Sequence, residues 1–324
     1  MRVKVAAIQA SPVYLNREAT IGKAGELCAR AAGEGARLAV FPEAFVPTYP
    51  DWVWRMKPGD PLGEELFAML LDQAVRVPSA ATDALGTIAK KTGLYLAIGV
   101  NERDADGRAA TIYNTLLYFG PDGTLLGKHR KLMPTGPERM VWGFGDGSTL
   151  LGAPETPFGR VGGLLCWENY MPLARAALYA QGVDIWCAPT WDRGDAWLAT
   201  LRHIAREGRV VVIGVAIANH TGDIPQGTPG REILWGEDGW ICEGGSAIID
   251  PNGEVLAGPV VEREEILVAE VDTASIAASR RAFDVCGHYA RPDVLRLIVD
   301  TEARQFVGLS LDASGDPADS ARPS

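Results

Sequence analysis

The sequence predicts an α/β layered domain, on three observations. Short β-branched and aromatic runs alternate with helical patterns over most of the chain, and a strand, turn, strand unit recurs in each half. The 324 residues, 47% hydrophobic and 22% charged, match ordinary globular usage and allow a sizeable core, which argues against wholesale disorder.

Taken in order, the first strand is expected over 3–8 (VKVAAI), a helix over 17–32 and a strand over 37–41 (RLAVF). Helical patterns over 62–75 and 79–92 precede strands at 94–100 (LYLAIGV) and 112–119 (IYNTLLYF). The alternation then restarts: strand 160–165, helix 172–181, strand 184–188, helix 194–208, then strands 210–217, 245–250 and 265–271. Gly, Pro or Asp bounds these runs. Tyr113-NTLLYFGPDGTLLG and Gly245-SAIIDPNGEVLAG each place an apolar strand, a Pro-x-Gly turn and a second apolar strand in that order. Such a pair of hairpins predicts two similar sheets stacked face to face with helices outside. No linker parts the halves, so one domain is expected over 1–300. Residues 301–324, ending in the small, polar LDASGDPADSARPS, are expected to form a largely disordered tail.

Lys and Arg number 31 against 41 Asp and Glu, a net charge of −10 that repels phosphate backbones and anionic lipid surfaces. Neither a nucleic-acid nor a membrane partner is expected. At the start, MRVKVAAIQASP has its apolar run broken at Gln9, short of a secretory core of roughly 7–15 residues. No stretch reaches the roughly 18 apolar residues of a membrane span. Five cysteines, Cys28, Cys166, Cys187, Cys242 and Cys286, make a poor disulfide framework, so a reducing cytoplasm is expected. Cys28 and Cys187 read as core residues. Cys286-Gly287-His288 lacks a second Cys/His pair and does not make a zinc site. Gly22, Gly33 and Gly35 form no phosphate loop. Neither cofactor nor metal is expected.

Three islands could carry chemistry. Cys166 ends an apolar strand and precedes Pro172, a residue suited to opening a helix, so the positive end of that helix could favour thiolate; a buried structural cysteine is the plain alternative. Lys128-His129-Arg130-Lys131 is a basic run on an acidic protein, either a solvated turn or the source of an inward lysine that stabilises a developing anion. Glu43 follows an apolar strand, where sheet sites commonly lie, and alone is only a strand-end acid. Together a carboxylate that takes a thiol proton, a cation and a thiolate can hydrolyse carbon–nitrogen bonds. Spacing alone does not select these three. The Gly-x-Ser-x-Gly elbow of serine hydrolases is absent.

The sequence resembles the nitrilase superfamily, and specifically its nitrilase branch. Phe41-Pro42-Glu43-Ala44, Lys128-His129-Arg130-Lys131-Leu132-Met133-Pro134-Thr135, Glu138-Arg139 with Trp142-Gly143-Phe144-Gly145-Asp146-Gly147-Ser148, and Cys166-Trp167-Glu168-Asn169 look like its motifs, in its order. The likeness runs over about residues 3–295. It implies an αββα sandwich, with Glu43 as general base, Lys131 as the cation at the tetrahedral intermediate, Cys166 as nucleophile and Glu138 as a second acid that positions lysine or water. It also implies no cofactor, a homo-oligomer built from dimers that can extend into spirals or filaments, and a small-molecule nitrile as substrate. The stretch from Cys166 through Gly182, with Cys187-APT, looks most like the plant and cyanobacterial type, which implies arylalkyl or aliphatic nitriles. Tyr49, Trp54, Trp142, Trp167, Trp191 and Asp192 lie near the motifs and are expected to line an aromatic-accepting pocket, with core packing as the alternative. Asn219-His220 departs from the family's usual pair there, and His220 reads as structural or pocket-lining. The rival expectations are an amidase or cyanide-hydrolysing relative and, in another class, a non-catalytic filament-forming scaffold.

Overall fold

A computed structural model describes residues 1–104 and 110–303; residues 304–324, most of the expected tail, lie outside the described residues. The first half runs β1 (Arg2–Gln9), α1 (Arg17–Gly33), β2 (Ala36–Val40), α2 (Pro61–Gln73), β3 (Val75–Arg76), α3 (Ala80–Thr92), β4 (Tyr95–Arg103), β5 (Ile112–Phe119) and β6 (Leu125–Arg130). The second runs β7 (Glu155–Thr156), β8 (Gly159–Gly163), α4 (Pro172–Ala180), β9 (Val183–Thr190), α5 (Gly194–Gly208), β10 (Val211–Ala216), β11 (Ala218–His220), α6 (Arg231–Trp235), β12 (Trp240–Ile249) and β13 (Val255–Val261). The strand β14 (Glu265–Asp272) and helix α7 (Thr273–Arg280) follow.

One sheet has the order β14-β1-β2-β4-β5-β6 and the other β11-β12-β10-β9-β8-β7, with β3 added to β4 and β13 to β12. Each half therefore makes three parallel strands, β1, β2, β4 and β8, β9, β10, that lead into an antiparallel pair, β5, β6 and β12, β13. Both expected hairpins are present, each closed at its turn by a backbone bond, Gly123 to Gly120 and Gly253 to Asp250, both 2.9 Å. The last strand β14 crosses back to pair with β1.

Side-chain alternation along the strands builds the layers. On β1, Val5 and Ala7 face the second sheet and pack with Ile185, Cys187, Ile213 and Val215, while Ala6 and Ile8 face α1 and α3. On β9 the same period sends Ile185 and Cys187 inward and Trp186 and Ala188 toward α4 and α5. The result is helix, sheet, sheet, helix, the four-layer sandwich. Burial of each such Val, Leu or Ile contributes about 1.5–3 kcal/mol, so an acid at Ile213 would break the seam between the sheets.

The helices begin where their sequences allow. Asn16 caps α1 by accepting the Ala19 N–H at 3.0 Å, and Pro172 stands in the first turn of α4, where its missing N–H is harmless. The basic run at 128–131 is not a solvated turn. Lys128 and Arg130 pair with buried Glu102 at 2.5 and 2.7 Å, His129 turns inward to Glu168 at 3.0 Å, and Lys131 is buried.

Candidate active site

The three islands end at one corner between the sheets. Glu43 lies just past β2, in a turn that crosses β4 at Gly99; a Cβ at Gly99 would collide with the backbone of Pro42 and Ala44, so glycine is what lets this turn settle. Glu43 is fully buried. Its Oε1 accepts from Asn114 Nδ2 and from Lys131 Nζ, each at 2.7 Å, while its Oε2 has no partner.

Lys131 is the first residue past β6, anchored by its own N–H to the Asn114 carbonyl at 2.8 Å. Its ammonium also donates to Glu138 Oε2 at 2.7 Å. Glu138 comes from the 3-10 turn Gly136–Met140 and accepts in addition the Tyr49 O–H at 2.7 Å and the Thr135 N–H at 2.6 Å. Glu138 thus has both oxygens engaged, whereas Glu43 keeps one oxygen open.

Cys166 follows β8 and opens the 3-10 turn Cys166–Tyr170 with φ of 51°, the left-handed region that a side chain occupies only under strain. Asn169 holds this turn by donating to the Leu164 and Cys166 carbonyls, both at 2.9 Å. Buried Glu168 accepts the N–H of Leu165 at 2.9 Å and of Leu132 at 2.6 Å, so a single carboxylate grips the backbone beside both Cys166 and Lys131. The ligand-type atoms of Glu43, Glu138 and Cys166 all lie within 4.8 Å of one another. Three such donors could suit a metal ion, but the Lys131 ammonium already stands 2.7 Å from both carboxylates.

Burial sets the electrostatics. It raises the Glu43 carboxyl to about 7, with the Lys131 charge pulling it down and Glu138 pushing it up. Burial alone would depress Lys131, but Glu43, Cys166 and Glu138 together hold it above the ordinary lysine value. The expectation that a helix end favours thiolate is corrected here. The turn Cys166–Tyr170 separates the sulfur from α4, and burial, then Glu43, push the thiol up, against the pull of Lys131. The corner therefore holds a protonated thiol beside a carboxylate with one open oxygen and a locked cation, an arrangement suited to transferring the thiol proton during attack and not before it.

A cavity of about 430 Å³ opens on Cys166 and Glu138. Of the residues expected on its wall, Tyr49, Trp54, Trp167, Trp191 and Asp192 are there. Trp142 is not. It stands a layer behind, edge-on to Tyr49 at 5.4 Å, with its indole N–H bonded to Asn101 at 2.8 Å, because a tryptophan 2% exposed supports the wall from within. Tyr49 stacks on Trp191 at 4.1 Å and takes the Trp54 N–H at 2.9 Å. His220 packs edge-on to Trp240 and accepts the Gly222 N–H, away from this wall. Asn114, Glu168, Asp51, Arg55 and Arg193 escaped the sequence reading. Only Glu168 carried a signal, as part of the Cys-Trp-Glu-Asn run.

Residues 4–281 match the family model described as carbon-nitrogen hydrolase. The chain belongs to the carbon-nitrogen hydrolase family. Within it the chain falls in the nitrilase branch: it is 47% identical to an aliphatic nitrilase of Sinorhizobium fredii, over 94% of this chain and 98% of that one. It is 44% identical to a bifunctional nitrilase/nitrile hydratase of Lupinus angustifolius, over 92% of this chain and 86% of that one. The same hydrolase fold is seen in a carbon-nitrogen hydrolase from Helicobacter pylori, with a TM-score of 0.68 at 23% identity over 90% of this chain and 96% of that one.

Proposed function

We propose that this carbon-nitrogen hydrolase converts organic nitriles to carboxylic acids and ammonia, with Cys166 as nucleophile, Glu43 as general base, Lys131 as electrostatic stabiliser and Glu138 as the acid that holds the lysine. The observation that carries the reading is the open Oε2 of Glu43 beside a buried thiol, with the Lys131 ammonium fixed between two carboxylates. Nitrilase relatives at 47% and 44% identity support it.

Glu43 takes the Cys166 proton as sulfur adds to the nitrile carbon, and returns that proton to the nitrogen, giving a thioimidate. Lys131 stabilises the negative charge that builds there. A first water, deprotonated by Glu43, adds to the thioimidate carbon and forms a tetrahedral intermediate that bears sulfur, oxygen and nitrogen. Protonation and loss of its nitrogen release ammonia and leave a thioester. A second water, again deprotonated by Glu43, opens the thioester to the acid and restores the thiol. If the tetrahedral intermediate instead expels sulfur, the product is the amide. The name of the lupin relative supports that branch as a second outcome for this chain.

The aromatic wall of Tyr49, Trp54, Trp167 and Trp191 supports arylalkyl or aliphatic nitriles. A homo-oligomer built from dimers, in the cytoplasm, completes the proposal; no helix among the described residues is long and apolar enough to cross a membrane. The test is acid and ammonia formation from 3-phenylpropionitrile, phenylacetonitrile, benzonitrile, fumaronitrile, cyanide and the matching amides, with Cys166→Ala as control. Nitrile turnover lost in the variant supports the proposal. Turnover of amides alone would move the chain to amide hydrolysis, of cyanide alone to cyanide hydrolysis, and silence on every substrate would favour a scaffold.

A further inference from the structure

The cavity carries a buried acid that the hydrolysis above does not use. Asp51 opens the 3-10 turn Asp51–Trp54, is 2% exposed and lines the same cavity as Cys166. Its Oδ2 accepts the indole N–H of Trp235 at 2.6 Å and faces the Arg55 guanidinium at 3.5 Å, and its Oδ1 has no partner. Among the described residues that line the cavity, this oxygen is the one buried side-chain polar atom left unpaired. Asp192, on the same wall, is the contrast: its oxygens accept the Trp167 indole N–H at 2.9 Å and the Arg193 N–H at 2.8 Å. None of Asp51's partners belongs to the set around Lys131.

A buried carboxylate oxygen without a donor is costly unless a ligand supplies one. Burial raises the Asp51 carboxyl to about 6, with Trp235 and Arg55 holding it down, so it remains mostly ionised at neutral pH and accepts only. Trp54, Trp167 and Trp191 line the same space, and aromatic rings tolerate a cationic donor beside them. We propose that Asp51 determines specificity by accepting a hydrogen bond from an amino or hydroxyl group on the chain of the nitrile, apart from the carbon attacked by Cys166. The inference rests on the nitrile-hydrolysing reading and deepens it: the preferred substrates are aliphatic nitriles with a donor, not plain alkyl nitriles.

The test compares kcat/KM for 3-aminopropionitrile, 4-aminobutyronitrile and 5-aminovaleronitrile, each against its alkyl counterpart butyronitrile, valeronitrile or hexanenitrile, with 4-hydroxybutyronitrile as the neutral donor. The expected result is a preference of about 10-fold or more for the donor in at least one pair, because a site built around a hydrogen bond penalises the analogue that lacks it. Asp51→Asn should lower that ratio about 10-fold; a ratio within one preparation cancels any loss of folded enzyme. Arg55→Gln, at a half-exposed position, should raise the ratio for the amino nitriles by freeing the Asp51 charge. Ratios near one in every pair, or a preference that survives Asp51→Asn, would leave Oδ1 to a bound water and overturn the inference alone. Failure to hydrolyse any of these nitriles or 3-phenylpropionitrile would remove the parent reading and this one with it.

Discussion

The two halves of the molecule follow one strand course, and their corresponding corners have opposite characters. β1 and β8 are each the first of three parallel strands. At the end of β1 stands Gln9, 1% exposed, with its amide saturated: Nε2 donates to the carbonyls of Val260 at 3.0 Å and Arg263 at 2.8 Å, and Oε1 accepts the N–H groups of Gly245 at 3.0 Å and Ser246 at 2.9 Å. Past the end of β8 stands Cys166 on a strained backbone, next to a carboxylate that keeps one oxygen free. The first corner locks one sheet to the other. The second leaves Glu43 Oε2 and Asn114 Oδ1 without partners near the thiol, and in the proposed reaction the carboxylate oxygen is where the thiol proton goes.

The contrast is sharpened most by Cys166→Ala, which should reduce nitrile turnover about 10⁴-fold or more, as loss of a nucleophile does, while thermal unfolding shifts by no more than about 1 kcal/mol. Full turnover in that variant would erase the distinction. Lys131→Met should damage both properties. It leaves Glu43 and Glu138 facing each other in a dry site, so denaturant titration should show a loss of about 3–5 kcal/mol, and turnover per folded molecule should fall about 10²–10³-fold.

Gln9→Leu tests the locked corner. Two N–H groups and two carbonyls lose their partner, for a cost on the order of 3 kcal/mol in unfolding, yet turnover per folded molecule should stay within about threefold because the sites share no partner. A large fall in turnover with stability intact would break the division. The smallest effect is in pH. The rate should fall tenfold per unit below about 7 as Glu43 takes up its proton, and Lys131, raised by its neighbours, adds no basic limb in the neutral range. Folding raises the Glu43 carboxyl, so its contribution to stability is fully present below the ordinary carboxylate value and is lost as pH rises through about 7. Unfolding and rate profiles should therefore move in opposite directions there.

Much of this was legible in the sequence where periodicity or punctuation was strong. The run 112–119 forms β5 over the same residues, being β-branched and aromatic-rich and closed by Gly120-Pro121, and 194–208 forms α5 between Gly194 and Gly208. The strand expected at 245–250 instead starts at Trp240, since Gly244 and Gly245 read as breakers yet sit in register shifts beside β13. The ordered motifs pointed to Glu43, Lys131, Glu138 and Cys166. They could not tell that Trp142 backs the wall, that burial and not a helix end governs the thiol, or that a loop acid such as Asp51 lies buried in the cavity. Each depends on which face of an irregular segment meets the core, and irregular segments have no period to read.

Glu43 and Lys131 come from the first half of the chain and Cys166 from the second. Neither half holds the complete set of groups proposed to react, so a chain nicked between β6 and β7 should be silent until its two pieces rejoin. Turnover then doubles as a gauge of assembly, able to report in a simple complementation assay whether the sheets have closed on each other.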